Sequence, residues 1–334
     1  MGKSSWVSLF LTLGVSAIGV PAWASPPVGT ISNFTGNLAA TVCNSPEGIA
    51  LDPQSGNFFT ASDRDGDTVG TVCVFRPNGA FKSSIAVPAG AAGVVALLGL
   101  LFEPPRTLFA VDIADGGGTN GRLLSINVVT GAVTALADGF TFPNAIAEDA
   151  HENLYVSDSI QGTITRIAQD GSHRTVWSAS SLLLAGADAF PPLGANGVAF
   201  DALFKNLYVA NTGNDQIIRI PVLANGDAGV AQVFADGATI DQAQSTTHAL
   251  DGADGIAFDI AGNLYVASNQ NNEIQKLSPN GQLVARYTNS ILDFPASFVF
   301  RGNQLFFTNA SLFDGGAGSA ILVLQALLPG APLP

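Results

Sequence analysis

The sequence has few basic residues and little charge overall, and this shortage excludes several classes of partner. Its 334 residues include 13 Lys and Arg against 26 Asp and Glu, which gives a formal net charge of −13. Because the basic residues are spread singly, with no stripe to neutralise phosphates, nucleic acid and anionic lipid are poor partners. Only 12% of the residues are charged and 47% are hydrophobic, as is typical of a β-rich protein with many buried strands.

Cysteine is also scarce. The chain contains only Cys43 and Cys73, with no CxxC motif and no Cys/His cluster. This excludes zinc fingers and thioredoxin-type chemistry. In an exported protein such a pair favours a disulfide over two free thiols.

Apolar runs of membrane-spanning length are absent as well. The run WVSLFLTLGVSAIGV follows Lys3 and precedes the small-x-small sequence Ala22-Trp23-Ala24, which is the pattern of a secretory signal peptide. We therefore expect residues 1–24 to be a signal peptide and the protein to be secreted or periplasmic. The next run, residues 89–102, is also too short to span a membrane, so no span is predicted.

What the sequence does contain is an internal repeat. The phrase DGIAFDIAGNLYVAS at residues 254–268 recurs as NGVAFDALFKNLYVA at 196–210, as NAIAEDAHENLYVSD at 144–158 and as EGIALDPQSGNFFTAS at 47–62. Two degenerate copies begin near residues 92 and 296. The mature chain thus consists of six units of roughly 50 residues.

Each unit predicts four strands. Apolar segments such as GIAFD, LYVA, IIRIPV and AQVFAD are separated by turns and loops rich in Asn, Asp and Gly. Four strands at this period are typical of a propeller blade. We therefore predict that residues 25–334 form one all-β domain, a six-bladed β-propeller with four-stranded antiparallel blades. An N-terminal strand within residues 28–36 is expected to complete the last blade, so that no long edge is left unpaired.

The first letter of the repeat carries side-chain oxygen in four of the six units. These residues are Glu47, Asn144, Asn196 and Asp254. Since the first strand of each blade lines the central channel, we expect them to meet at one rim. Two carboxylates and two amide oxygens suit Ca²⁺ best, with Mg²⁺, Mn²⁺ or Zn²⁺ as alternatives. The competing interpretation is that each residue is a turn former that caps its own backbone.

These motifs resemble the gluconolactonase, senescence-marker-protein and luciferin-regenerating-enzyme superfamily. The resemblance rests on PEGIALD, FPNAIAEDA, ANGVAFD and ADGIAFD and extends over nearly the whole mature chain. It implies a six-bladed hydrolase that holds a divalent cation, commonly calcium, at the channel rim. It further implies that Glu47, Asn196 and Asp254 are metal ligands, that Asn144 binds metal or substrate, and that Asp254 is the general base or nucleophile.

The resulting prediction is an exported, monomeric, metal-dependent hydrolase of a small lactone or ester. His248, in the loop before Asp254, is a further candidate acid or base, and its alternative is an ordinary surface histidine. His151 is expected at the opposite rim and is given no role.

Two other kinds of propeller remain open. One is a non-catalytic NHL-like module that binds a ligand or partner and holds a structural calcium. The lack of an aromatic residue closely following Glu47 and of an obvious substrate-binding Arg in blade two favours it. The other is a strictosidine-synthase-like propeller, which would not need the cation cluster.

Overall fold

The chain forms a ring of six four-stranded antiparallel sheets, as the repeat predicts. The computed structural model describes residues 26–62, 66–187, 189 and 191–332. The predicted signal peptide, residues 1–24, lies outside the described residues. No helix in the described part of the chain is long and apolar enough to cross a membrane.

The strands follow one another from the channel outward in five of the blades. Blade one comprises β2 (Pro46–Leu51), β3 (Phe58–Ser62), β4 (Val69–Phe75) and β5 (Phe81–Pro88). Blade two comprises β6 (Leu97–Glu103), β7 (Thr107–Asp112), β8 (Gly121–Asn127) and β9 (Val133–Phe140). Blade three comprises β10 (Pro143–Glu148), β11 (Asn153–Asp158), β12 (Thr163–Ala168) and β13 (Thr175–Ala179).

The second half of the ring has the same order. Blade four comprises β14 (Ala195–Phe200), β15 (Asn206–Asn211), β16 (Gln216–Pro221) and β17 (Gln232–Asp236). Blade five comprises β18 (Ala253–Phe258), β19 (Leu264–Ser268), β20 (Glu273–Leu277) and β21 (Leu283–Thr288). Blade six comprises β22 (Pro295–Arg301), β23 (Gln304–Asn309), β24 (Ala320–Gln325) and, as its outer strand, β1 (Ile31–Asn33).

Short helical segments lie in the loops between blades and strands. The α-helix α1 spans Gly237–Gln244, and single 3₁₀ turns span Ser181–Leu183, Thr212–Asn214 and Asn269–Asn271. Asp236 caps α1 by accepting the backbone N–H of Thr239 at 2.8 Å. The helix leads into the loop that precedes the inner strand of blade five.

The N-terminal strand closes the ring, as predicted. Strand β1 pairs antiparallel with β24, with Ile31 opposite Leu324 and Asn33 opposite Leu322. The last blade thereby acquires its fourth strand from the beginning of the described chain. The inner strands of all six blades contact one another in a closed circle. No blade is left with a missing neighbour.

The hydrophobic core is divided into six clusters, one between each pair of neighbouring blades. Each cluster combines inner-strand residues of one blade with residues of the blade beside it. Burial of this apolar surface is the main force that holds the ring together, since backbone hydrogen bonds of the sheets run only within a blade. The repeat is therefore stable only when neighbouring blades are present.

The predicted start of blade two, near residue 92, is wrong. Its inner strand begins at Leu97. Residues 90–93 form a turn in which Gly93 N–H donates to the carbonyl of Gly90, and Val95 N–H then donates to Asp67. After this turn the apolar letters run from Val94 through Leu97 without a polar residue, so the pattern does not mark where the strand begins and predicts a start about five residues too early. The other inner strands begin within one residue of the predicted positions.

Candidate functional site

An irregularity at the start of every inner strand sets the direction of the first repeat position. We number the repeat from Glu47 (first) to Leu51 (fifth) and call the channel end where the inner strands begin the rim. In all six blades the register with the second strand shifts across the first and second positions, which is the signature of a β-bulge. A bulge changes the direction of one side chain relative to the regular alternation of the strand. Here that side chain is the one at the first repeat position, which bears oxygen in some blades and is apolar in others.

Neighbouring blades touch backbone to backbone at this bulge. In four blades the second position is Gly, and a Cβ atom there would lie within 2.1–2.5 Å of the first-position carbonyl oxygen of the next blade. These glycines are Gly48, Gly99, Gly197 and Gly255. No larger residue fits without moving the adjoining strand.

The other two blades replace the close contact with a hydroxyl bridge. In blade three the second position is Ala145, whose N–H donates to Ser157 Oγ at 3.0 Å, and this hydroxyl donates to the carbonyl of Asn196 at 2.7 Å. In blade six Ser297 N–H donates to Thr308 Oγ1 at 3.0 Å, and the Thr308 hydroxyl donates to the carbonyl of Glu47 at 2.6 Å. Both arrangements fix the backbone of the first position.

Three of the four predicted residues share one cavity. Asn144, Asn196 and Asp254 line a cavity of about 60 Å³ at the rim, and each is at most 5% exposed. They come from blades three, four and five. Beneath them the cavity is bounded by the third-position side chains of all six blades. These are Ile49, Leu100, Ile146, Val198, Ile256 and Phe298.

Asp254 is a buried carboxylate with few partners. Its Oδ2 accepts a hydrogen bond from Asn269 Nδ2 at 2.9 Å. Burial raises the pKa of Asp254 to about 7, although hydrogen bonds from Asn269, Asn196 and the N–H of Gly255 lower it in part. The charged form is therefore poorly solvated, and a cation beside it would favour ionisation.

Two amide oxygens at the site are also left without donors. The Oδ1 atoms of Asn196 and Asn269 are buried, and neither accepts a hydrogen bond from any described group. Asn196 Nδ2 donates to Thr212 Oγ1 at 2.8 Å, which fixes the amide orientation and turns its oxygen away from that partner. A buried acceptor without a donor costs free energy unless something else, such as a cation or water, supplies the partner.

Sequence reasoning missed the supporting residues Thr212 and Asn269. Both follow directly after the second strand of their blade, at equivalent positions in the loops TGND and NQNN. Each loop begins beside the first position of the same blade. Aligning these loops with one another would place Thr212 and Asn269 at the same position and so identify both as neighbours of the site.

The remaining predicted residues are not among those that line the cavity. Glu47 occupies the first position of blade one and is partly exposed, and it is not among the residues that line the cavity. His248 lies in the loop before β18, where its Nδ1 is 2.6 Å from Asp251 Oδ2 and its side chain is 60% exposed. His151 lies in the turn between β10 and β11, at the opposite end of the channel from Asn144.

Cys43 and Cys73 form a disulfide, with their Cα atoms 5.9 Å apart. The bond ties the segment that leads into β2 to the third strand of blade one. It thereby braces the backbone close to Glu47.

The donor set is one of hard oxygen atoms. Within the described ranges no cluster of three or more His, Cys, Asp or Glu side chains could hold a metal ion. A cation at the rim would therefore need amide oxygens as well as carboxylates among its ligands. Amide and carboxylate oxygens are ligands that Ca²⁺ accepts, whereas Zn²⁺ prefers nitrogen and sulfur. The residues fit a hard divalent cation.

A family model described as SMP-30/Gluconolactonase/LRE-like region matches residues 189–311. This region contains Asn196, His248 and Asp254, and excludes Glu47 and Asn144. A search of curated proteins found no match to the sequence.

Solved structures with the same fold cover almost the whole chain. A luciferin-regenerating enzyme superposes with a TM-score of 0.65 at 14% identity, covering 91% of this chain and 97% of the other. A calcium-binding protein, regucalcin, from Agrobacterium tumefaciens gives 0.61 at 16%, covering 86% and 90%. A gluconolactonase from Xanthomonas campestris gives 0.61 at 16%, covering 91% and 89%. The family-model match confirms the predicted resemblance to the SMP-30, gluconolactonase and luciferin-regenerating-enzyme family over residues 189–311, and the superpositions show that the fold is shared.

Proposed function

We propose that this protein is an exported, monomeric hydrolase that cleaves a small lactone or ester at the channel rim with the help of a bound divalent cation. The observation that carries the proposal is the convergence of Asn144, Asn196 and Asp254, from three blades, on one small cavity. The family match and the names of the structural neighbours support a lactonase-type activity. The buried Oδ1 of Asn196 and the oxygen-only donor set support calcium as the cation.

Each residue has a distinct part in the proposal. Asn196 and Asp254 would hold the cation, with Glu47 as a further ligand from blade one. When bound, the cation supplies Lewis-acid polarisation of a carbonyl oxygen. Asp254 accepts the proton of the attacking water, Asn144 orients the substrate, and His248 donates a proton to the leaving oxygen.

The alternative is a binding module with a structural cation. It is favoured by one observation: Glu47 does not line the cavity shared by the other three residues. Such a module would keep the cation response but would not hydrolyse esters.

Thermal melting after chelation tests the cation. Calcium, magnesium or zinc is then added back, and calcium at a hundredfold its dissociation constant should stabilise by about 2.7 kcal/mol, a rise of several degrees. The rise should vanish in Asp254→Asn and Asn196→Ala.

Asp259→Asn is the matched control. Asp259 is a buried acid that directly follows β18, the strand that carries Asp254, and it lies 3.1 Å from Lys276 Nζ. It should lower the melting point and keep the calcium response. No response to any cation would overturn the proposed site.

A panel of lactones and aryl esters, assayed with and without chelator, tests the chemistry. Metal-dependent turnover that is lost in Asp254→Asn and reduced in His248→Gln is expected. A calcium response without turnover of any ester would replace the hydrolase by the binding module. Mass spectrometry of the protein from an expressing cell's exported fraction tests cleavage after Ala24.

A further inference from the structure

The channel contains a second, larger cavity beyond the third-position ring. It has a volume of about 180 Å³ and is lined by inner-strand residues of all six blades, by Asp201 and Phe204 in the turn after β14, and by Ala331 and Pro332. The six third-position side chains line this cavity as well as the rim cavity, so they form the constriction between the two. An apolar cavity of about 150 Å³ is large enough to hold benzene, so this one has room for a ring-sized ligand.

Two acids interrupt the apolar wall of this second cavity, Glu148 and Asp201. Asp201 accepts hydrogen bonds from the N–H groups of Leu203 and Lys205 and from Asn206 Nδ2, so its carboxylate is already paired. At the fifth repeat position, where the inner strands end, five blades have large apolar side chains. These are Leu51, Phe102, Phe200, Phe258 and Phe300. Blade three has Glu148 instead, which lines the cavity and is only 6% exposed. We call this end of the channel the far mouth.

The surroundings of Glu148 are short of positive charge. Gln169 Nε2 donates to Glu148 Oε1. The charged neighbours that act on it, Glu103 and Glu152, are both acidic. Burial is the largest cause of a Glu148 pKa raised to about 7, and the two acids add to it. A buried carboxyl in such a field is stabilised by a positive charge placed beside it.

Glu148 also borders a neighbouring cavity. This cavity has a volume of about 300 Å³ and lies between Glu103, Pro53 and residues 329–331, and Glu148 is among the residues that line it. The terminal segment is fixed across the far mouth, since Gly330 N–H donates to Gly302 and Ala331 N–H donates to Phe258. Glu148 therefore lies between the two cavities, beside this segment.

We infer that the far mouth binds a small organic cation, a primary amine with a ring-sized apolar body. The ammonium group pairs with the Glu148 carboxylate, and the body lies among the aromatic side chains Phe200, Phe258 and Phe298. A metal ion fits this cavity poorly, because its wall is mostly aliphatic and aromatic. This site is separate from the rim and does not depend on the proposed hydrolase.

Calorimetric titration with benzylamine and with benzyl alcohol tests the inference. The two probes have the same ring and nearly the same size, and only the amine is positively charged. Benzylamine should bind at least tenfold more tightly than benzyl alcohol to the wild-type protein at pH 7.5 and low salt, and Glu148→Gln should remove most of that difference. Glu103→Gln, at the half-buried edge of the neighbouring cavity, should weaken benzylamine by a few-fold. Asp254→Asn at the rim should leave both affinities unchanged.

Several outcomes would overturn it. Equal affinity for the two probes would mean an apolar pocket with no cation preference. Tighter binding of the amine that persists in both Glu148→Gln and Glu103→Gln, or is lost in Asp254→Asn, would place the amine elsewhere. No saturable binding of either probe would mean that the cavity does not admit ligands of this size.

Discussion

The two ends of the channel are made from the same six strands, four residues apart, and yet neighbouring blades are joined differently at each end. At the rim the contacts are between backbones, through glycines such as Gly197 or through the Ser157 hydroxyl. At the far mouth the contacts are between side chains. Phe59 stacks on Phe102 at 5.2 Å between ring centroids, and the same pairing recurs between other blades. Those pairs are Tyr155 with Phe200, Tyr208 with Phe258 and Tyr265 with Phe300.

This difference explains where the sequence is free to vary. When the backbone supplies the contact, the first-position side chain is not needed for packing and can be Glu, Leu, Asn, Asp or Ala. When the fifth-position side chain supplies the contact, a polar residue there gives up an aromatic pair worth about 1 kcal/mol. Glu148 makes that substitution at the junction of blades two and three. Polar residues therefore destabilise the fold little at the rim and more at the far mouth. A buried polar residue at the far mouth, such as Glu148, is thus a stronger indication of function than one at the rim.

The largest expected effect comes from disturbing a backbone contact at the rim. In Gly197→Ala the new Cβ would lie 2.2 Å from the carbonyl oxygen of Asp254 and 2.9 Å from Cα of Gly255. Both atoms belong to the backbone, so they cannot move aside as the end of a flexible side chain could, and the neighbouring strand must shift. We therefore expect the free energy of unfolding in urea to fall by about 3 kcal/mol. The calcium response should fall with it.

The matched control is the equivalent position of blade three. Ala145→Gly removes a methyl group where a hydroxyl bridge already separates the blades, and should cost no more than about 1 kcal/mol. If both variants unfold at the same urea concentration, the rim does not depend on close backbone contact.

A smaller effect is expected from the exception at the far mouth. The folded-state pKa of Glu148 is raised from 4.5 to about 7, so its contribution to stability is full below pH 4.5 and is lost as the pH rises through 7. In Glu148→Gln this loss is absent. Relative to wild type, the variant should gain about 2 kcal/mol in free energy of unfolding between pH 5 and pH 8.

Urea denaturation at the two pH values measures the gain. Glu152→Gln changes an exposed acid near Glu148 and should show little pH-dependent difference from wild type. A wild-type stability profile that Glu148→Gln leaves unaltered would show that the carboxyl is well solvated in the folded protein.

Much of this comparison could be predicted from the sequence, because turn residues and alternating apolar letters directly encode strands and their order. The blade count, the four strands per blade, the closing strand β1 and the shared cavity of Asn144, Asn196 and Asp254 all follow from that repeat. The start of β6 did not, since the apolar letters continue across Leu97 and no polar residue marks where the strand begins.

Side-chain direction and environment were harder to predict. Whether Glu47 enters the rim cavity depends on how its side chain leaves the bulge, which the repeat does not specify. Glu148 is visible in NAIAED beside NGVAFD and DGIAFD, but the letters alone do not show whether its carboxyl is buried or solvated. The hydroxyl bridges were missed because they link residues of neighbouring blades that no local pattern connects.

The smallest expected effect separates rim geometry from rim stability. Ser157→Ala removes a buried hydroxyl and leaves the N–H of Ala145 and the carbonyl of Asn196 without this partner. We expect a loss of about 1–2 kcal/mol in urea denaturation. Because Asn196 is then free to shift, calcium should raise the melting point only about half as much as it does in the wild type. This corresponds to a loss of about 1 kcal/mol of the stabilisation that bound calcium provides. Ser159→Ala is the matched control, since Ser159 Oγ donates at 2.6 Å to the carbonyl of Ala195, one residue earlier, whose side chain is buried in the core. It should lose similar stability and keep the full calcium response. If the two variants reduce that response equally, the first position is held by the blade as a whole, and the hydroxyl bridge has no special part in orienting Asn196.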